Sequence, residues 1–172
     1  ASQQEQLKYA VGTRSDIIII NNYMSREQLH SLLSECQTYI SLHRSEGYGL
    51  TLAEAMSLGK PVIATGYSGN MDFMNEQNSF LVPYEMVAVG ADAFPYDEDS
   101  RWAQPNIEFA AKAMRELNGD AGLRTRIGNQ ARIDVAAEFT MERAAEFTRS
   151  RVKVLSKWQY FRKLKVSIRK YF

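Results

Sequence analysis

Four strand-length apolar runs, spaced by helix-length segments, constrain this chain more than any single residue does. Asp16-Ile17-Ile18-Ile19-Ile20-Asn21 is an apolar, β-branched run with polar ends, the pattern of a strand buried on both faces. Thr38–Leu42, Pro61–Thr65 and Ser79–Pro83 are the other three. Between the first two, Ser25 opens a helix with Gln28 as its capping-box partner, and Leu29, Leu32 and Leu33 form its apolar face. Thr51–Leu58 reads as a second helix, stopped by Gly59 with Pro61 just beyond. The loop Gly66–Asn70 leads into a short helix near Met71–Met74. Such alternation predicts an α/β fold with a parallel sheet and flanking helices. Ligands of open sheets of this kind bind at the carboxyl ends of the strands. The loops after Asn21, Leu42 and Thr65 are therefore where a site is expected.

The rest of the chain reads as connection and helix. Residues 1–11 suggest a helix. Residues 84–105 lack clear periodicity, contain Pro95 and Pro105, and read as a long irregular excursion. Three helices follow, about Asn106–Leu117, Asp120–Glu138 and Thr140 onward, with Asp120 and Thr140 as N-caps. The one cysteine, Cys36, excludes an intrachain disulfide. It lies in an apolar-periodic segment and is expected to be small and buried. One Cys and two His do not suggest a structural zinc site.

Charge divides the chain where composition does not. The first 148 residues carry 12 basic and 20 acidic groups, and the last 24 carry nine basic groups and no acid. We read 1–148 as one domain and 149–172 as a basic amphipathic helix, with Leu155, Trp158, Phe161, Leu164, Ile168 and Phe172 as its apolar stripe. An acidic body argues against nucleic acid as a partner. The basic end suits either an anionic membrane surface or packing on another domain. No apolar run nears the roughly 20 residues of a membrane-spanning helix, and Ala1–Ala10 is polar. The expected location is cytoplasmic, with peripheral membrane attachment as an option.

The stretch with chemical content is Glu46-Gly47-Tyr48-Gly49-Leu50-Thr51-Leu52-Ala53-Glu54-Ala55-Met56. It follows a strand and opens a helix. The first N–H groups of a helix have no internal partner and lie at a positive dipole end, so an anion placed there accepts them. Gly49 allows close backbone approach, and the amides of Gly49, Leu50 and Thr51 are expected to meet a diphosphate. Glu46 in the loop and Glu54 one turn into the helix would each accept bonds from sugar hydroxyls.

This motif resembles the donor-site motif of retaining glycosyltransferases of family 4, which have the GT-B fold. The resemblance runs over about residues 16–145 and includes Gly59-Lys60-Pro61-Val62-Ile63-Ala64-Thr65 and Asn78-Ser79-Phe80-Leu81-Val82-Pro83. It implies a Rossmann-like, C-terminal half of a GT-B enzyme that transfers a sugar from a nucleotide-diphosphate (UDP or GDP) donor to a glycan, lipid or protein acceptor, with retention. It implies that Glu46 is catalytic and contacts the transferred sugar, that Glu54 holds the ribose, that Tyr48, Gly49, Leu50 and Thr51 belong to the donor site, and that backbone near Tyr23 meets the base. No cofactor or metal is implied, because helix amides and basic side chains neutralise the leaving diphosphate. The family's Arg and Lys for the diphosphate, and its acceptor-binding N-terminal Rossmann domain, would precede Ala1. A fragment without them should be inactive. In that fold's strand order, residues 17–20 should not pair with residues 38–42.

Each assignment has a plainer alternative. Glu54 stands three residues after Thr51 and would equally suit a capping box. His43 could orient a phosphate or make local bonds. Arg44 could add positive charge at the diphosphate or be solvated. Ser68, Gly69 and Asn70 could approach the donor or simply turn the chain. Asp97-Glu98-Asp99 has the spacing of a metal-binding pair in another class of sugar transferase, and reads better as a solvated loop. Two other functions compete with transfer: a non-catalytic Rossmann-like module tethered by its basic tail, and a GT-B-type sugar-nucleotide epimerase.

Overall fold

The computed structural model describes residues 3–91, 93 and 95–168, with Gln3 and residues 158–168 given by backbone alone. The chain divides into a unit of residues 1–32 and a unit of residues 33–172.

In the first unit, α1 (Gln3–Val11) ends at Gly12 (φ +57°), whose N–H bonds Lys8 O at 3.0 Å. Arg14 and Asp16 form an exposed ion pair at 2.6 Å, which holds the Asp16 carboxyl below the usual carboxylate range. The start of α2 (Arg26–Glu35) is the expected capping box. Gln28 N donates to Ser25 Oγ at 3.2 Å, and Ser25 N donates to Gln28 Oε1 at 2.8 Å. Residues 17–20 are not a strand. Ile18 is 84% exposed and Ile20 51% exposed. A β-branched run becomes a strand only where neighbouring strands satisfy its backbone, and these residues carry no ladder.

The second unit is a three-layer α/β body. Its parallel sheet has the order β1 (Tyr39–Ser41), β2 (Val62–Thr65), β3 (Phe80–Val82). Ile63 lies opposite Ile40 on one side and Phe80 on the other. Every residue of β2 is buried, and its side chains alternate between two cores. Val62 and Ala64 join Leu52, Met56, Phe73 and Ala131. Ile63 and Val82 join Ala110, Ala113 and Leu117. Thus α3 (Leu50–Ser57) and α5 (Ala121–Glu138) cover one face, and α4 (Ile107–Gly119) covers the other. The sheet has no pairing with residues 17–20.

Local rules fix the ends of these helices. After α3, Gly59 (φ +70°) donates to Met56 O at 2.9 Å and Lys60 N to Ala55 O at 3.0 Å, a Schellman stop. Asn106 caps α4 through Phe109 N, and Asp120 caps α5 through Leu123 N. Thr140 Oγ1 accepts from Arg143 N at the start of α6 (Met141–Ile168). That helix runs unbroken through Arg149. The apolar side chains expected from Trp158 onward lie outside the described residues. Where α5 crosses the end of α3, a Cβ on Gly128 would stand 2.0 Å from Gly59 O. Among the described residues no helix is long and apolar enough to cross a membrane.

Besides the absent strand at residues 17–20, three expectations need correction. Residues 84–105 are not irregular throughout: β4 (Tyr84–Ala88) and β5 (Arg101–Pro105) form an antiparallel ribbon. Ala103 and Pro105 are buried on its inner side. Its alternation is obscured because Pro105 ends one strand and a long connection separates the two. The short helix after Thr65 is a 3-10 turn over Gly69–Asp72. Cys36 is half-buried rather than buried.

Candidate functional site

Parallel pairing of β1 with β2 brings two loops to one end of the sheet, residues 42–49 and residues 66–70. They are joined backbone to backbone. Glu46 O accepts from Gly69 N at 3.0 Å and from the Ser68 hydroxyl, and Glu46 N donates to Ser68 Oγ at 3.0 Å. The approach is so close that a Cβ on Gly69 would lie 2.3 Å from Gly47 O. Ser68 sits at φ +80°, ψ −150° and is the single non-glycine residue at positive φ among those described. That region is nearly restricted to glycine and costs of order 1–3 kcal/mol.

His43 and Asn70 close the same junction from beneath. His43 Nε2 lies 3.1 Å from both Tyr67 O and Asn70 Oδ1, two acceptors, so Nε2 carries the hydrogen. Ser41 Oγ lies 3.3 Å from Nδ1. The buried Asn70 donates to Thr65 O at 3.1 Å and to Met74 Sδ at 3.5 Å. Thr65 Oγ1 donates to His43 O at 2.6 Å. A second brace comes from the ribbon. Ala103 N donates to Arg44 O at 2.9 Å, and the Arg44 guanidinium stacks 4.6 Å from the Trp102 ring centroid. The Tyr67 and Tyr84 rings are 5.0 Å apart.

Against this rigid frame, the groups at the front of α3 are free. Gly49, at φ +90°, is buried and turns the chain into the helix; its carbonyl accepts Ala53 N at 2.9 Å. Leu50 is 67% exposed and Thr51 is exposed. Among the described residues no protein acceptor takes the N–H of Gly49, Leu50 or Thr51. The helix start is open, and an anion there gains about 0.3–1 kcal/mol from the dipole alone. The capping box of Thr51 with Glu54 does not form: the Thr51 hydroxyl accepts from the Tyr39 hydroxyl at 3.2 Å, and no side chain caps α3. Glu46 and Glu54 are half-buried, and neither carboxylate accepts a hydrogen bond from a described protein group.

Tyr48 packs edge-on against Phe139 at 5.7 Å and near Phe73 at 5.9 Å. It borders a recess of about 690 Å3 at the junction of α5 and α6, lined also by Glu138, Arg143 and Phe147. The second unit thus brings together His43, Arg44, Glu46, Tyr48, Gly49, Leu50, Thr51, Glu54, Ser68, Gly69 and Asn70. Tyr23 belongs to the first unit, where it is fully exposed in a shallow recess with Ile20 and Met24. Trp102, Phe73 and Phe139 were not singled out from the sequence. Trp102 could be found only once residues 84–105 are seen as a ribbon. The Asp97–Asp99 triplet is a local turn, with Asp99 N bonded to Asp97 Oδ1 at 3.1 Å, and no three metal-binding side chains cluster among the described residues.

Known proteins share this chain's sequence family and fold. Residues 2–93 match the family model of glycosyl transferases group 1. The GtfA subunit of a UDP-N-acetylglucosamine–peptide N-acetylglucosaminyltransferase from Streptococcus agalactiae is 41% identical over 70 residues, 38% of this chain and 14% of that protein. Sucrose-phosphate synthase from Thermosynechococcus elongatus superimposes with a TM-score of 0.64 at 22% identity, over 90% of this chain and 34% of that one. The C-terminal domain of a glycosyl transferase group 1 protein from Francisella tularensis superimposes with a TM-score of 0.58 at 21% identity, over 80% of this chain and 60% of that one. The chain therefore spans a fraction of the length of the proteins it matches.

Proposed function

The chain belongs to the glycosyl transferases group 1 family, and from that premise we propose that it supplies the donor-binding half of a retaining sugar transferase. The observation that carries this reading is the open start of α3. The amides of Gly49, Leu50 and Thr51, which no described protein acceptor takes, lie in sequence between Glu46 and Glu54, whose carboxylates accept no hydrogen bond from a described protein group. The amides receive the diphosphate of a nucleotide sugar. Glu46 accepts hydroxyls of the transferred sugar, and Glu54 accepts those of the ribose.

In the reaction, the bond from the anomeric carbon to the diphosphate oxygen breaks with its electron pair going to that oxygen, the acceptor oxygen bonds the carbon, and the acceptor's proton passes to the leaving diphosphate. Negative charge grows on the leaving diphosphate, where the helix amides and dipole favour it more in the transition state than in the ground state. Arg44, stacked on Trp102 at the same loop, adds positive charge beside it. The acceptor is held by a further domain or a partner subunit. The small share of the relatives' length that this chain spans, and the description of one relative as a subunit, support that division.

The test is a donor titration on the complete protein that contains this chain, with UDP-N-acetylglucosamine and GDP-mannose as probes. Each charge-assisted bond to a hydroxyl contributes about 1.5–3 kcal/mol. Glu46→Ala and Glu54→Ala should each weaken donor binding or turnover by roughly tenfold to a hundredfold. Unchanged binding and turnover in both would refute the assignment.

A further inference from the structure

Ser68 holds a backbone conformation that favours glycine, yet it is a serine. A glycine would adopt φ +80°, ψ −150° without strain. What serine adds is one hydroxyl, and that hydroxyl is fully committed. It accepts from Glu46 N at 3.0 Å and donates to Glu46 O. With Gly69 N also on Glu46 O at 3.0 Å, both peptide groups of Glu46 are tied to the 66–70 loop. Its carboxylate is the remaining polar group, and it accepts no hydrogen bond from a described protein group. The chain accepts strain at one residue to fix the backbone of another 22 positions earlier.

We propose that Ser68 is a positioning residue that sets the Glu46 carboxylate against the transferred sugar, and that it does not itself touch the donor. The inference rests on the donor-site reading of Glu46. It separates two parts of the donor. The nucleoside diphosphate is held by Gly49, Leu50, Thr51 and Glu54, none of which bonds Ser68, so its affinity is independent of the clasp. The sugar-reading carboxylate depends on it.

The experiment compares Ser68→Gly and Ser68→Ala in the complete protein, alone and with Glu46→Gln. Ser68→Gly removes the hydroxyl and relieves the strain. Ser68→Ala removes the hydroxyl and keeps the strain, so it should melt below Ser68→Gly. Both should lower release of nucleoside diphosphate from UDP-N-acetylglucosamine or GDP-mannose by about tenfold or more, while affinity for free UDP or GDP stays within about twofold. In the Glu46→Gln background, Ser68→Gly should cost less than about twofold further, because the group it positions is already lost. Wild-type turnover in Ser68→Gly overturns the inference if Glu46→Gln is impaired. Wild-type turnover in both overturns the donor-site reading and the inference with it. Parallel loss of UDP or GDP affinity and turnover in Ser68→Gly overturns it too, because Ser68 would then support the whole site.

Discussion

Gly69→Ala is the sharpest single perturbation of this site, because it adds one methyl group where backbone meets backbone. The new Cβ would lie 2.3 Å from Gly47 O, 2.7 Å from Gly47 C and 2.9 Å from the Tyr48 Cα. None of these is the end of a flexible side chain. Ordinary contact near 3.4 Å requires the two loops to part by roughly 1 Å. That carries the Gly69 N–Glu46 O bond from 3.0 Å toward 4 Å, beyond hydrogen-bonding range, and opens both Ser68–Glu46 bonds as well. Three bonds at about 0.5–1.5 kcal/mol each put the cost between ~1.5 and ~4.5 kcal/mol. Holding the loops together and absorbing the overlap would cost about 1–3 kcal/mol, so the expected loss is about 2–3 kcal/mol. Urea unfolding followed by far-ultraviolet circular dichroism reads this directly. The control is Gly119→Ala, where an added Cβ meets nothing within 4 Å and the residue ends α4; it should be neutral or stabilising by up to ~1 kcal/mol. Wild-type stability and donor affinity in Gly69→Ala would refute the close apposition of the two loops.

Three further outcomes follow from other contacts. His43→Ala leaves Asn70 Oδ1 and Tyr67 O without their donor, and should cost about 1–3 kcal/mol of stability in thermal unfolding; if stability holds while donor affinity collapses, His43 is a ligand group rather than a brace. Gly128→Ala places a Cβ 2.0 Å from Gly59 O and should force α5 off the end of α3, at a cost of about 2–3 kcal/mol in the same assay; unaltered unfolding would refute the helix crossing. If helix amides and Arg44 carry the leaving-group charge as proposed, turnover of the complete protein should survive exhaustive EDTA treatment; loss of turnover restored by Mg2+ would refute that account.

What could be read from the sequence was set by short-range rules. Ser25 with Gln28, Asp120, Thr140 and Gly59 each act within a few residues of themselves, and each capped or stopped a helix as expected. The run of buried residues in β2 was legible because a strand covered on both faces has no polar side to show. The run at 16–21 carries the same local signal, but a strand also needs a neighbour, and sequence does not record one. The β4–β5 ribbon failed in the opposite direction. Its pairing spans 12 intervening residues, and Pro105 at its end suggests a break. In the site, the open start of α3 was legible in Gly49. The commitments of Ser68, Gly69 and Asn70 were not, since they depend on partners more than 20 residues away and on a φ value that a serine rarely adopts.

The same contrast explains how two loops at one end of the sheet can be held together while groups at the start of α3 stay unbonded. The polar groups of the 66–70 loop described above bond the His43 ring, the backbone of Glu46 and Thr65, or Met74, and none of them has to wait for a ligand to be satisfied. Their cost of ordering is met on folding. What remains unbonded is a short set: three amides at the start of α3 and the carboxylates of Glu46 and Glu54. A donor bound there, as proposed, would order little protein, so more of each contact would appear as affinity and less would be lost to loop entropy. It follows that changes in donor preference need not alter the frame. They can come from side chains such as Tyr48 and Leu50, which border the free groups, whereas substitutions at Gly69 or Asn70 disturb the frame itself whatever sugar is bound.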